Sequence, residues 1–146
     1  MVRRVNKFGV TTVLGVVFGL FVAFASSQGI IGILGFVVFG FLIDAIFLRT
    51  PESRSKRGNI IAAWSVWSFI YVFSTLIPII KDSEKYLEAM KQSASYSAEY
   101  IASFTHFWYN PLWVALILAI SVAVGALGAY FGTKMAKKHF EKAGVL

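Results

Sequence analysis

Hydrophobic positions in this chain come in long unbroken runs. From Phe8 to Ile43 no residue is charged. That is too long for a single crossing of ~30 Å of hydrocarbon, which takes roughly 20 residues. The turn formers Ser26, Ser27, Gln28 and Gly29 interrupt the run, predicting spans over Phe8–Ala25 and Ile30–Leu48. A polar loop with Pro51 and Gly58 follows over Arg49–Asn59. A third uncharged run, Ile60–Ile80, closes on Lys81 and Asp82, and a fourth, Leu112–Phe131, opens after Asn110 and Pro111. Between the third and fourth runs the period changes. Leu87, Met90, Ala94, Ala98 and Ile101 recur every three or four residues, and Tyr96, Tyr100, Phe104 and Trp108 form an aromatic stripe. Residues 82–108 therefore read as one amphipathic helix, started by Asp82 or Ser83.

Composition turns these runs into a statement about solvent. Hydrophobic residues make up 58% of 146 and charged residues 14%, against roughly 45–50% and 25% in soluble domains. So small a chain cannot hide that surplus in a core of its own. The expected fold is a single all-α integral membrane domain over residues 1–146, with four transmembrane helices and an external amphipathic helix.

Charge sets the expected orientation. Arg3, Arg4 and Lys7 precede the first span, four basic residues lie in Arg49–Asn59, and Lys134, Lys137, Lys138 and Lys142 follow the last span. Lys81–Asn110 holds three Lys against four acids. With four spans all three basic flanks fall on one side, which predicts a multi-pass plasma-membrane protein with both termini cytoplasmic. The net charge of +7 is then directed at lipid headgroups or a cytoplasmic partner, and nucleic acid is not needed to explain it.

Candidate chemistry is sparse. Cysteine is absent; no HExxH, GxSxG, CxxC or phosphate-loop motif occurs. His106 and His139 fall on opposite sides of the expected bilayer, so they share no metal. Glu84 and Glu88 read as a solvated face. No enzyme, metal site or cofactor is expected. Small residues at Gly15 and Gly19, and at Gly125, Gly128, Ala129 and Gly132, predict close helix packing or docking of a partner. Asp44, the one carboxylate inside a span, lies five residues before Arg49 and reads as a cytoplasmic-interface anchor or docking contact, along with Lys137 and Lys138. Trp64, Trp67 and Tyr71 share a face of the third span, with Trp64 near the inner interface as part of an aromatic belt. Aromatic walls with a few polar tips make small-molecule sites. Tyr71, Ser74, Tyr100, His106, Trp108 and Asn110 are the expected lining of an outward-facing pocket.

The segment Gly125–Gly132, reading GALGAYFG, and the KKHFEKAG that follows from Lys137 resemble the C-terminus of the Trep-Strep (MptD-like) family. Lys7-Phe8-Gly9, Leu42-Ile43-Asp44-Ala45 and Pro78 before a Tyr-rich external segment follow that family's order, so the resemblance covers the whole chain. It implies an S component, the substrate-binding membrane subunit of energy-coupling factor (ECF) transporters, which are ABC-type importers of vitamins and other micronutrients. The implied partners are a small-molecule substrate, the ECF coupling membrane subunit and its ATPases, in the lipid bilayer. S components have six helices, and this chain is expected to begin where the third begins. The competing reading is a small four-helix membrane scaffold or interaction protein without a ligand.

Overall fold

The computed structural model describes residues 7–25 and 29–141. The expected turn at Ser26-Ser27-Gln28, and the basic residues Arg3, Arg4 and Lys142, lie outside the described residues. Among the described residues the chain is helical throughout: α1 (Val10–Ala25), α2 (Gly29–Phe47), α3 (Pro51–Ser55), α4 (Arg57–Lys81), α5 (Ser83–Gln92), α6 (Ala98–Trp108) and α7 (Pro111–Met135), which runs on into a π-helical turn, Ala136–Glu141.

Each start has a local cause. Gly9 turns into α1 at φ 94°, a left-handed conformation that glycine adopts without a Cβ penalty. Thr50 and Ser53 form a reciprocal capping box at α3, with Pro51 in the first helical turn, which satisfies the backbone donors at its start. Asp82 accepts from Lys85 N at 3.0 Å and starts α5, while Asn110 accepts from Leu112 N at 3.0 Å ahead of Pro111 in α7. The stretch between α4 and α7 differs from the single helix expected. It breaks at residues 93–97, where Ser93 ends α5 and Ser97 caps α6 by accepting from Tyr100 N at 3.1 Å. Serines compete with the helix for backbone hydrogen bonds, and three in five residues outweigh the apolar period.

α1 and α2 pack as one hairpin, α4 pairs with α7, and α2 lies against α4. Trp67, 7% exposed, is the seam: its ring lies 6.2 Å from both Phe18 of α1 and Phe36 of α2. Val10, Ile43, Leu48, Ile60, Ala63 and Ala129 complete the core around it. α5 and α6 touch each other and their chain neighbours. Tyr109 donates to the Ser83 carbonyl at 2.7 Å, and Tyr86 packs on Phe104 at 6.0 Å.

Candidate functional site

Two polar arrangements lock the end of the molecule where α1 begins and α2 ends. Asp44 has no exposed surface. Its carboxylate accepts from Thr11 N at 3.2 Å, Thr12 N at 2.8 Å and Thr12 Oγ1 at 2.7 Å. Those amides are orphan donors of the first turn of α1, so Asp44 caps a neighbouring helix and its negative charge meets the positive end of that dipole. Thr11 Oγ1 donates to the Gly40 carbonyl at 2.9 Å. At the opposite dipole, Arg54 donates to the Leu48 and Arg49 carbonyls at 2.8 and 2.9 Å, just past the end of α2. Asp44 is thus not an anchor reaching for water or a partner. The residues that consume it, Thr11 and Thr12, stand 33 and 32 positions away in the chain and carry no local signal.

The small residues divide into two kinds. In the hairpin they mark real contact. A Cβ on Gly15 would strike the Phe36 carbonyl oxygen, and one on Gly19 would lie 2.9 Å from Ile33 Cα. At Gly40 it would lie 2.5 Å from the Thr11 carbonyl oxygen. Gly125 is as tight against α4, with the Trp64 carbonyl 2.8 Å from an added Cβ and Ser68 Oγ closer still. Ala129 is buried in the core. Gly128 and Gly132, expected to pack in the same way, have nothing within 4 Å of an added Cβ.

α4 and α7 meet at Gly125 and stay packed at Ala129 and Thr133, and a space opens beside each end of this contact. Toward the α5–α6 end a crevice of about 470 Å³ opens, lined by Phe18 of α1, by Trp64, Trp67, Ser68 and Tyr71 of α4 and by Ile117, Ile120 and Ser121 of α7. No charged side chain lines it. Toward the basic end a groove of about 470 Å³ runs past Ile60, Trp64, Gly128, Gly132, Thr133 and Ala136. Trp64 lines both spaces, which its expected belt role did not foresee.

The residues expected to form one outward pocket are dispersed. Tyr71 faces the crevice. Ser74, one turn on, donates to the Tyr71 carbonyl at 2.7 Å. Tyr100 and Trp108 belong to a continuous ladder, in which Tyr96 stacks on Tyr100 at 5.3 Å, Tyr100 on Phe104 at 6.3 Å and Phe104 on Trp108 at 6.0 Å. His106 turns to Phe107 and Trp113 instead, at 5.0 and 6.0 Å. Asn110 is engaged as a helix cap. Burial raises Tyr109, and also Tyr86, above the ordinary phenol value of 10.0, so both remain neutral donors at physiological pH. No group of three or more His, Asp or Glu is placed to hold a metal among the described residues. Lys137 and Lys138 are exposed in the terminal turn.

The surface decides the class of protein. α4 and α7, at 25 residues each, extend about 37 Å at a rise of 1.5 Å per residue, enough to cross a bilayer. Only 22% and 6% of their most apolar stretches lie buried inside the protein. Core helices of a soluble protein would be mostly covered. Helices this long with their apolar sides outside the fold fit an integral membrane protein. The chain belongs to the Trep_Strep family, whose description reads "hypothetical bacterial integral membrane protein" and whose family model matches residues 1–142. Comparison with curated proteins and with solved structures gives no match.

Proposed function

We propose that this chain is a non-enzymatic substrate-capture subunit, an S component of an ECF-type importer for a vitamin or another micronutrient. In this reading α1, α2, α4 and α7 all span the plasma membrane. Both termini and α3 face the cytoplasm, α5 and α6 lie outside, and a coupling subunit with ATPases supplies the energy. The 16 and 19 residues of α1 and α2 correspond to about 24 and 28 Å, close to the hydrocarbon thickness. The resemblance of the C-terminal segment to S components supports the class.

The observation that carries the reading is the crevice between α1, α4 and α7. Its aromatic walls of Phe18, Trp64, Trp67 and Tyr71, with Ser68 and Ser121 among them, have the composition and size of a small-molecule site. The test is thermal stabilisation of the purified protein by each member of a vitamin panel. One member is expected to raise the melting temperature, and Tyr71→Ala to weaken that effect. The same preparation from native membranes should carry a coupling subunit. A panel without a stabiliser, and a chain that purifies alone, favour the scaffold reading instead.

A further inference from the structure

The groove at the basic end is not filled by any of the described residues, and four observations bear on what fills it. First, its floor is open where the sequence had least bulk: added Cβ atoms at Gly128 and Gly132 would meet nothing. Second, its length is distinctive. On α7 the lining runs from Val124 to Ala136, about 18 Å at 1.5 Å per residue, close to half of a hydrocarbon core of ~30 Å. It is one leaflet deep. Third, cations close its end. Arg57 stands one turn before Ile60 on the face that Ile60 and Trp64 share, with its guanidinium held over the Tyr130 ring at 5.4 Å. Lys137 follows Thr133 by one turn. Fourth, these two cations have no carboxylate partner among the described residues, whereas nearby Lys56 pairs with Glu52 at 2.7 Å.

We propose that this groove is a binding site for one anionic phospholipid. An acyl chain lies along Gly125, Gly128 and Gly132 against Ile60 and Trp64, and the phosphate headgroup sits between Arg57 and Lys137. A neutral lipid satisfies the apolar floor and leaves the cations unpaired. A transmembrane helix entering from a partner would need no cations at the groove's end. Basic pockets between helices on a membrane surface favour anionic headgroups for this reason. The site adjoins the crevice across Trp64, Ser68 and Val124 and does not depend on the importer reading.

Trp64 lines both the groove and the crevice, so its fluorescence reports the groove's occupant where the quenching responds to substitutions at Gly128 and Gly132. The full chain is reconstituted in vesicles of phosphatidylcholine and phosphatidylglycerol, with bromine carried on the acyl chains of one lipid at a time. The quenching that disappears in Trp64→Phe is the signal. Brominated phosphatidylglycerol is expected to occupy the groove in preference to brominated phosphatidylcholine, by about fivefold for each cation engaged. Arg57→Gln with Lys137→Gln should bring that preference to one, without disturbing the groove. Gly128→Leu with Gly132→Leu should reduce quenching by both lipids, and if that variant does not fold, the glutamine variant decides alone. Equal quenching by the two lipids in the unaltered protein overturns the proposal. So does a preference that survives the glutamine substitutions. A native mass of two copies with Trp64 shielded from both lipids also overturns it, since a second chain then fills the groove.

Discussion

The α1–α2 hairpin and the α4–α7 pair use the same residue types to opposite ends. In the hairpin, Gly15, Gly19 and Gly40 each face backbone of the opposing helix. The close approach lets Asp44 cap α1 and Thr11 bond to Gly40. In the α4–α7 pair one glycine, Gly125, makes that approach, and Gly128 and Gly132 further along the same row face open space. A small residue permits a helix to come near. Whether one does depends on which face of the helix the partner covers, and in α7 Ala129 and Thr133 are buried while Gly128 and Gly132 are not met by a neighbour. Both spaces able to receive something border the α4–α7 pair.

Three measurements break or sharpen that contrast, all read as unfolding free energy or melting in detergent micelles. Trp67→Ala removes the seam between hairpin and pair and should cost about 3–5 kcal/mol; a loss under about 1 kcal/mol would mean that the two halves do not lean on each other. Asp44→Ala should cost about 2–4 kcal/mol, since two amides and a hydroxyl lose a charged acceptor away from water. Asp44→Asn, which keeps one carbonyl oxygen, should cost less. Third, Gly40→Val should destabilise by about 1–3 kcal/mol through overpacking against Thr11. Gly128→Val should stay within about 0.5 kcal/mol. Equal effects at the two glycines would abolish the distinction between closed and open stripes.

The smallest effect concerns the α5–α6 pair. Tyr109 donates to Ser83 only while its phenol is protonated. Its value is raised above 10.0 by burial, so the contact is fully present below pH 10 and is lost as pH climbs through the higher folded-state value. Hydrogen exchange at α5 should therefore be flat up to about pH 10, after correction for intrinsic rates, and rise above it. Tyr109→Phe should exchange faster by a modest, pH-independent factor. A flat profile in the unaltered protein across the alkaline range would remove this contact from the account.

How much of this was legible beforehand depended on the range of the interaction. The third and fourth apolar runs gave helices a few residues longer than expected, Arg57–Lys81 and Pro111–Met135. Caps at Asp82 and Asn110 followed from neighbours two or three residues away. The aromatic ladder from Tyr96 to Trp108 was visible as an i, i+4 repeat; its part from Tyr100 on is set by α6 alone, and Tyr96 joins it from the break. The break at Ser93–Ser97 was equally local and was masked by an apolar period that runs through it.

By itself, then, the sequence determined the solvent and the elements: runs of apolar residues too numerous for a core of this size force helices into hydrocarbon, and each helix satisfies its own backbone. Tertiary structure alone decided which polar groups are used up and which spaces stay open. Asp44 became a helix cap because Thr11 and Thr12 arrive beside it from 33 and 32 residues away. Tyr71 came to line a crevice because helix packing sets what each side chain meets. Gly128 and Gly132 became the floor of a groove for the same reason: a missing side chain is written in the sequence, but the distance to the next helix is not.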